Sequence, residues 1–130
     1  MPITPLFTAL FALMFIFLSI AVVRIRFGDK VSLGHADNKE LETAVRIHAN
    51  FIEYVPISLI LFWFIERITF NSQLVLILGC ALLLARVAHV IGMRNTKKYL
   101  ILRKLGVMIT FLILLISSLY LIWWYLPISV

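Results

Sequence analysis

The chain has 130 residues, 63% of them hydrophobic and 14% charged, with a formal net charge of +6. A water-soluble domain carries about 25% charged and 45–50% apolar residues, so that class is excluded and lipid must solvate much of the surface. A nucleic-acid partner is excluded too, because the basic residues flank apolar spans, where topology and anionic lipid headgroups account for them.

The opening Met1-Pro2-Ile3-Thr4-Pro5 lacks the basic n-region of a cleaved signal peptide, and the apolar run ends at Arg24 instead of a small-residue cleavage site. A retained first span is therefore expected over residues 3–23, long enough to cross a bilayer as a helix. A polar loop follows, with Gly28-Asp29 and Gly34 to Asn38 as turn signals, and Asn38 or Asp37 placed to cap the next helix. Helix two is expected over 39–66, amphipathic in its first half and nearly all apolar in its second. Pro56 should bend it without ending it, because neighbouring helices can satisfy the freed carbonyl. Glu66, Arg67, Asn71 and Ser72 form an expected outer turn. The third span covers 73–93, interrupted by Arg86 and His89, and a basic loop leads to the fourth, 103–126. Trp123, Trp124 and Tyr125 end it as an interfacial aromatic belt. The fold class is all-α, a bundle of four transmembrane helices in a single domain. Cys80, alone in an apolar run, is read as a small buried hydrophobe.

Eleven of the twelve basic residues fall at one end of such a bundle, and only Arg67 at the other. The positive-inside rule then puts loops one and three in the cytoplasm and both termini outside.

Ionisable groups inside spans are costly and usually face a bundle interior or cavity. At about 100° per residue, Glu42, Arg46, Asn50 and Glu53 fall within roughly 80° of one another on helix two, with Tyr54 at the border. His48 points to nearly the opposite side. Arg86 and His89, one turn apart, share a face of helix three. Two readings stand. The residues could register the bundle, with Arg46 paired to Glu42 or Glu53 and Arg86 to an acid on a neighbouring helix. Alternatively they could hold an anionic ligand at the cytoplasmic face: guanidinium forks suit carboxylates, and Asn50 and Glu53 suit amide and ammonium groups. Haem ligation is disfavoured because His48 points away from the helix-two stripe and His89 has no evident facing partner. A proton-coupled exporter using Glu53 is disfavoured by the surrounding arginines. No metal site is expected.

The run Arg46-x-His48-x-Asn50-x-x-Glu53-x-x-Pro56, with Arg24-x-Arg26, Glu42, Arg86-x-x-His89, Arg103, Gly106 and Thr110 in order, resembles the MAPEG family. These are membrane-associated proteins of eicosanoid and glutathione metabolism, here of the short bacterial, microsomal glutathione transferase-like kind. The resemblance implies a four-helix protomer in a homotrimer, in a bacterial inner membrane, with glutathione between subunits. It implies that Arg24, Arg46, Asn50, Glu53, Tyr54 and His89 bind glutathione, with His89 and Arg103 supplied by the neighbouring subunit. Arg103 would be the catalytic cation that stabilises the thiolate, and the second substrate a lipophilic electrophile. The chain departs from many members after His89, where Val90-Ile91-Gly92-Met93 offers no hydroxyl. The implied activity is that of a glutathione transferase or peroxidase. The alternative is a non-catalytic protein that binds a lipid or a partner and keeps the polar stripe for assembly.

Overall fold

The computed structural model describes residues 1–126. The expected placement of the C-terminus outside the cytoplasm falls on 127–130, beyond the described residues. Four helices follow in order: α1 (Thr4–Asp29), α2 (Lys39–Thr69), α3 (Ser72–Arg94) and α4 (Thr96–Tyr125). Among the described residues, three of them (α1, α3 and α4) are long and apolar enough to cross a membrane. The first half of α2 carries Lys39, Glu40, Glu42, Arg46 and Glu53, which dilutes its apolar second half.

The helix starts have a shared chemistry. The Oδ1 of Asn38 accepts from the amides of Glu40 at 2.8 Å and Leu41 at 3.0 Å, capping α2. Asn71 accepts from Leu74 at 2.9 Å to cap α3, and Asn95 from Lys98 at 3.2 Å to cap α4. Each satisfies amides that have no partner within their own helix. α1 begins differently. With Pro in its first turn and no side-chain cap of its own, it borrows the carboxylate of Glu66, which accepts from the amides of Ile3 at 2.5 Å and Thr4 at 2.9 Å. That carboxylate, 8% exposed, also faces the positive end of the α1 dipole. Glu66→Ala should therefore cost about 1–3 kcal/mol of bundle stability, the worth of hydrogen bonds to a charged group. A variant that unfolds in detergent at the wild-type temperature would contradict this.

The element ends shift from expectation. α2 runs to Thr69 and turns through Phe70, whose φ is 55°, so the outer turn is shorter than predicted. α4 starts at Thr96, because the Asn95 cap turns the expected basic loop into a first helical turn, with a kink at Tyr99 (φ −123°, ψ 33°) before the apolar stretch. α2 continues unbroken through Pro56.

Neighbouring helices are antiparallel. Glu66 meets Thr4 and Ser19 meets His48 across α1 and α2, while Asn71 meets Tyr120 across α3 and α4. The core joins Phe7, Phe11 and Leu18 of α1 to Phe51, Val55 and Phe62 of α2, with Leu78 and Leu82 of α3 and Ile113 of α4. The buried positions of α3 (Val75, Leu78, Gly79, Leu82, Ala85, Arg86, His89 and Gly92) repeat at helical spacing on one face. Cys80 lies off that stripe and is exposed. The expectation of a buried thiol is therefore wrong: in a bundle solvated by lipid, an apolar run does not tell which residues face the interior.

Candidate functional site

The stripe on α2 opens onto α3 and α4 near the basic end of the bundle. Arg46, Asn50 and Glu53 line a crevice of about 200 Å³ with His89 and Met93 of α3 and Arg103 and Val107 of α4. Five of the seven residues singled out from sequence thus meet within one protomer. Within the protomer His89 and Arg103 stand beside Arg46, because α3 and α4 press closely together at this level.

Two glycines permit that approach. A Cβ on Gly92 would run into the backbone of Arg103, and one on Gly106 would lie 2.6 Å from the carbonyl oxygen of Ala85 and 2.9 Å from the Cβ of His89. Gly92 therefore sets where the Arg103 backbone can sit, and Gly106 how near His89 comes to α4.

Behind the crevice lies Arg86, 2% exposed. Its guanidinium donates to Asn50 Oδ1 at 2.7 Å, the Gly106 carbonyl at 3.0 Å and Thr110 Oγ1 at 2.6 Å. The Thr110 hydroxyl donates to the Gly106 carbonyl at 2.7 Å, which turns its lone pairs to Arg86. The expected acid partner for Arg86 is replaced by three neutral acceptors, so its charge is solvated but not cancelled. The crevice and its wall hold three guanidinium groups (Arg46, Arg103 and Arg86) against one carboxylate, Glu53. In a low-dielectric surround that excess favours an anion.

His89 is 4% exposed, and neither ring nitrogen has a partner among the described residues. A buried imidazole left unpartnered at a cavity wall is a place for a ligand or water to complete. Arg46, Glu53 and Arg103 are exposed and Asn50 is half-buried, so all present polar ends for such a ligand.

Two predicted residues stand apart. Tyr54 is half-buried with its ring edge-on to Phe111 at 5.3 Å. Arg24 lines a separate crevice between α1, α2 and α3, with Lys39, Glu40, Thr43 and Arg94. His48, on the far side of α2 as its direction predicts, has Nε2 2.9 Å from Ser19 Oγ. The Ser19 hydroxyl donates to the Phe15 carbonyl at 2.8 Å, so it is the imidazole that donates to Ser19. The pair ties α1 to α2 and provides no base for a nucleophile.

The resemblance gave Arg86 and Thr110 no binding role, although both belong to the pattern that carries it and Arg86 to the polar cluster. The signal was there: a span arginine without an acid at helical spacing, and Gly106-x-x-x-Thr110 one turn apart.

Comparison with known proteins agrees with a membrane bundle. The MAPEG family model matches residues 4–123. The chain is 34% identical over 125 residues to Inner membrane protein YecN of Escherichia coli strain K12, covering 96% of this chain and 93% of that protein. The same identity and coverage hold for Inner membrane protein YecN of Escherichia coli O6:H1 strain CFT073. No solved structure gives a significant match.

Proposed function

The chain belongs to the MAPEG family of membrane proteins, and from that premise we propose that it is a glutathione transferase or peroxidase of the bacterial inner membrane acting on lipophilic electrophiles. The observation that carries this reading is the convergence of Arg46, Asn50, Glu53, His89 and Arg103 on one crevice with an excess of positive charge. Glutathione has two carboxylates for guanidinium forks, an ammonium for Glu53 and peptide groups for Asn50. Its overall negative charge matches the excess.

The crevice volume of about 200 Å³ is below the roughly 300 Å³ at which small-molecule sites begin. A second wall is needed, and a neighbouring protomer of a homotrimer would provide it. Arg24, outside this protomer's crevice, is the residue we assign to that wall. α2 would be the fourth span, its polar half shielded by the assembly, with the basic end of the bundle in the cytoplasm.

The chemistry rests on Arg103. A thiol is a weak nucleophile until it ionises, and an adjacent guanidinium favours the thiolate. The sulfur then forms a C–S bond to the electrophilic carbon, and with an aryl halide the halide departs with the electron pair. Arg103 and Val107 also border an apolar groove of about 680 Å³ on α4, lined by Leu100, Met108, Phe111 and Leu112. An electrophile dissolved in lipid would meet the sulfur from that side.

A non-catalytic binding role has one observation in its favour: the thioether of Met93 lines the crevice in the stretch where many relatives carry a hydroxyl. Glutathione-dependent turnover of an aryl halide by the detergent-purified protein decides between the two. Binding without turnover favours a non-catalytic role at the same site, and neither binding nor turnover removes glutathione and leaves the polar stripe a structural role. Arg46→Ala should weaken glutathione about 10- to 100-fold, the loss of one charge-assisted contact. Unchanged binding by calorimetry would remove Arg46 from the site.

A further inference from the structure

Arg86 lies behind the crevice and is absent from its lining, yet it touches a side chain that is part of the lining. A guanidinium carries only donors, so the Asn50 atom that meets it at 2.7 Å has to be the amide oxygen. The opposite end of that amide, Nδ2 with its two hydrogens, is then the one left for the cavity. We propose that Arg86 is a positioning residue which orients the Asn50 amide, so that the crevice presents a fixed hydrogen-bond donor at this point and selects a ligand carrying a carboxylate or carbonyl acceptor there.

The surroundings hold Arg86 to that task. Its second contact arm is anchored on α4 by the Gly106 carbonyl and Thr110 Oγ1, and the Thr110 hydroxyl is itself committed to Gly106. The arm that reaches Asn50 is therefore aimed from a clamped base, on a side chain 2% exposed. Without it, the Asn50 amide could turn either end to a ligand, and a donor and an acceptor would be offered in turn. An orienting partner raises affinity by removing that freedom before binding. Because none of the three Arg86 partners is acidic, the same residue leaves its charge uncancelled behind the site, and the acceptor it selects is best anionic.

This inference deepens the glutathione reading and rests on it for the ligand, but not for the orientation, which has its own measurement. Among the four asparagines of the chain, selective ¹⁵N labelling gives a spectrum of four side-chain amides, with Asn50 assigned by its loss in Asn50→Ala. In ligand-free protein, Arg86→Met should displace the Asn50 signal, and Thr110→Val, which removes one of the guanidinium's two anchors on α4, should displace it by less. An Asn50 resonance unmoved by Arg86→Met would overturn the proposal whether or not glutathione binds. Methionine replaces the buried charge with an apolar chain of similar reach, a change that buried ionic groups often tolerate.

The second arm uses glutathione affinity. Arg86→Met and Asn50→Ala should each weaken binding about tenfold, and the double variant should be no weaker than either single one, as for two residues acting through one contact. Losses that multiply would assign Arg86 a separate, structural role and overturn the proposal. A wild-type protein that takes up no glutathione, with the Asn50 signal still moved by Arg86→Met, would defeat the functional reading and leave the orientation standing.

Discussion

In Arg103→Ala, glutathione-dependent turnover should fall about a hundredfold, the usual loss when one preorganised group facing a developing or resident anion is removed. The direction of the pH effect follows from the charge. With the guanidinium present the bound thiol ionises below its ordinary range of about 8.5, and without it the thiol returns toward that value. At neutral pH the variant then holds less thiolate, and its acid limb of turnover moves to higher pH. Raising the pH should restore much of the lost rate, because a thiolate formed by alkali serves as well as one formed by a neighbouring cation. Thiolate absorbance of the bound ligand, titrated in both proteins, reads the shift directly. Identical titrations would assign the stabilising role to another cation, with Lys97, Lys98 and Arg94 the candidates in the preceding basic run. The homotrimer we propose should survive the substitution, since Arg103 is exposed and its backbone placement is set by Gly92.

Gly106→Val should have the larger effect on the fold. On an exposed helix surface, replacing glycine gains up to about 1 kcal/mol in helix propensity, less for a β-branched residue. Here the added Cβ would stand 2.6 Å from the Ala85 carbonyl oxygen, a backbone atom that cannot swing aside. Overpacking of this kind costs about 1–3 kcal/mol, and valine adds two methyls to a Cβ that already meets the Ala85 carbonyl and the His89 Cβ. The net sign is destabilising. Separation of α4 from α3 also stretches the bonds from Arg86 to Gly106 and Thr110. Glutathione affinity should therefore fall together with the melting temperature in detergent. An unchanged melting temperature would show that the helices meet elsewhere.

These two residues show where sequence reading was strong. Arg103 and Gly106 were found as elements of a pattern spread over the whole chain, and the crevice brings both to the same stretch of α4. The directions of Arg46, Asn50 and Glu53 follow from helical period alone, and so does the exclusion of His48, which the structure turns to Ser19. Asn38 was legible as a cap because turn residues precede it and acids follow. Asn95 was not, since it sits in a basic run that reads equally well as loop. Cys80 was misread because apolar composition is the same on the lipid and interior sides of a span.

Composition and period therefore determined that this is an all-helical membrane protein, that its basic residues gather at one end, and that α2 carries one polar stripe. All three follow from the segments taken one by one, set by the free energy of placing each side chain in lipid or water. Tertiary structure alone decided that His89 and Arg103 line one crevice with Arg46 within a protomer, that Arg24 lines another crevice there, and that Arg86 is held by neutral acceptors. Those outcomes depend on how closely α3 and α4 approach at Gly92 and Gly106, a distance between segments that no segment encodes by itself.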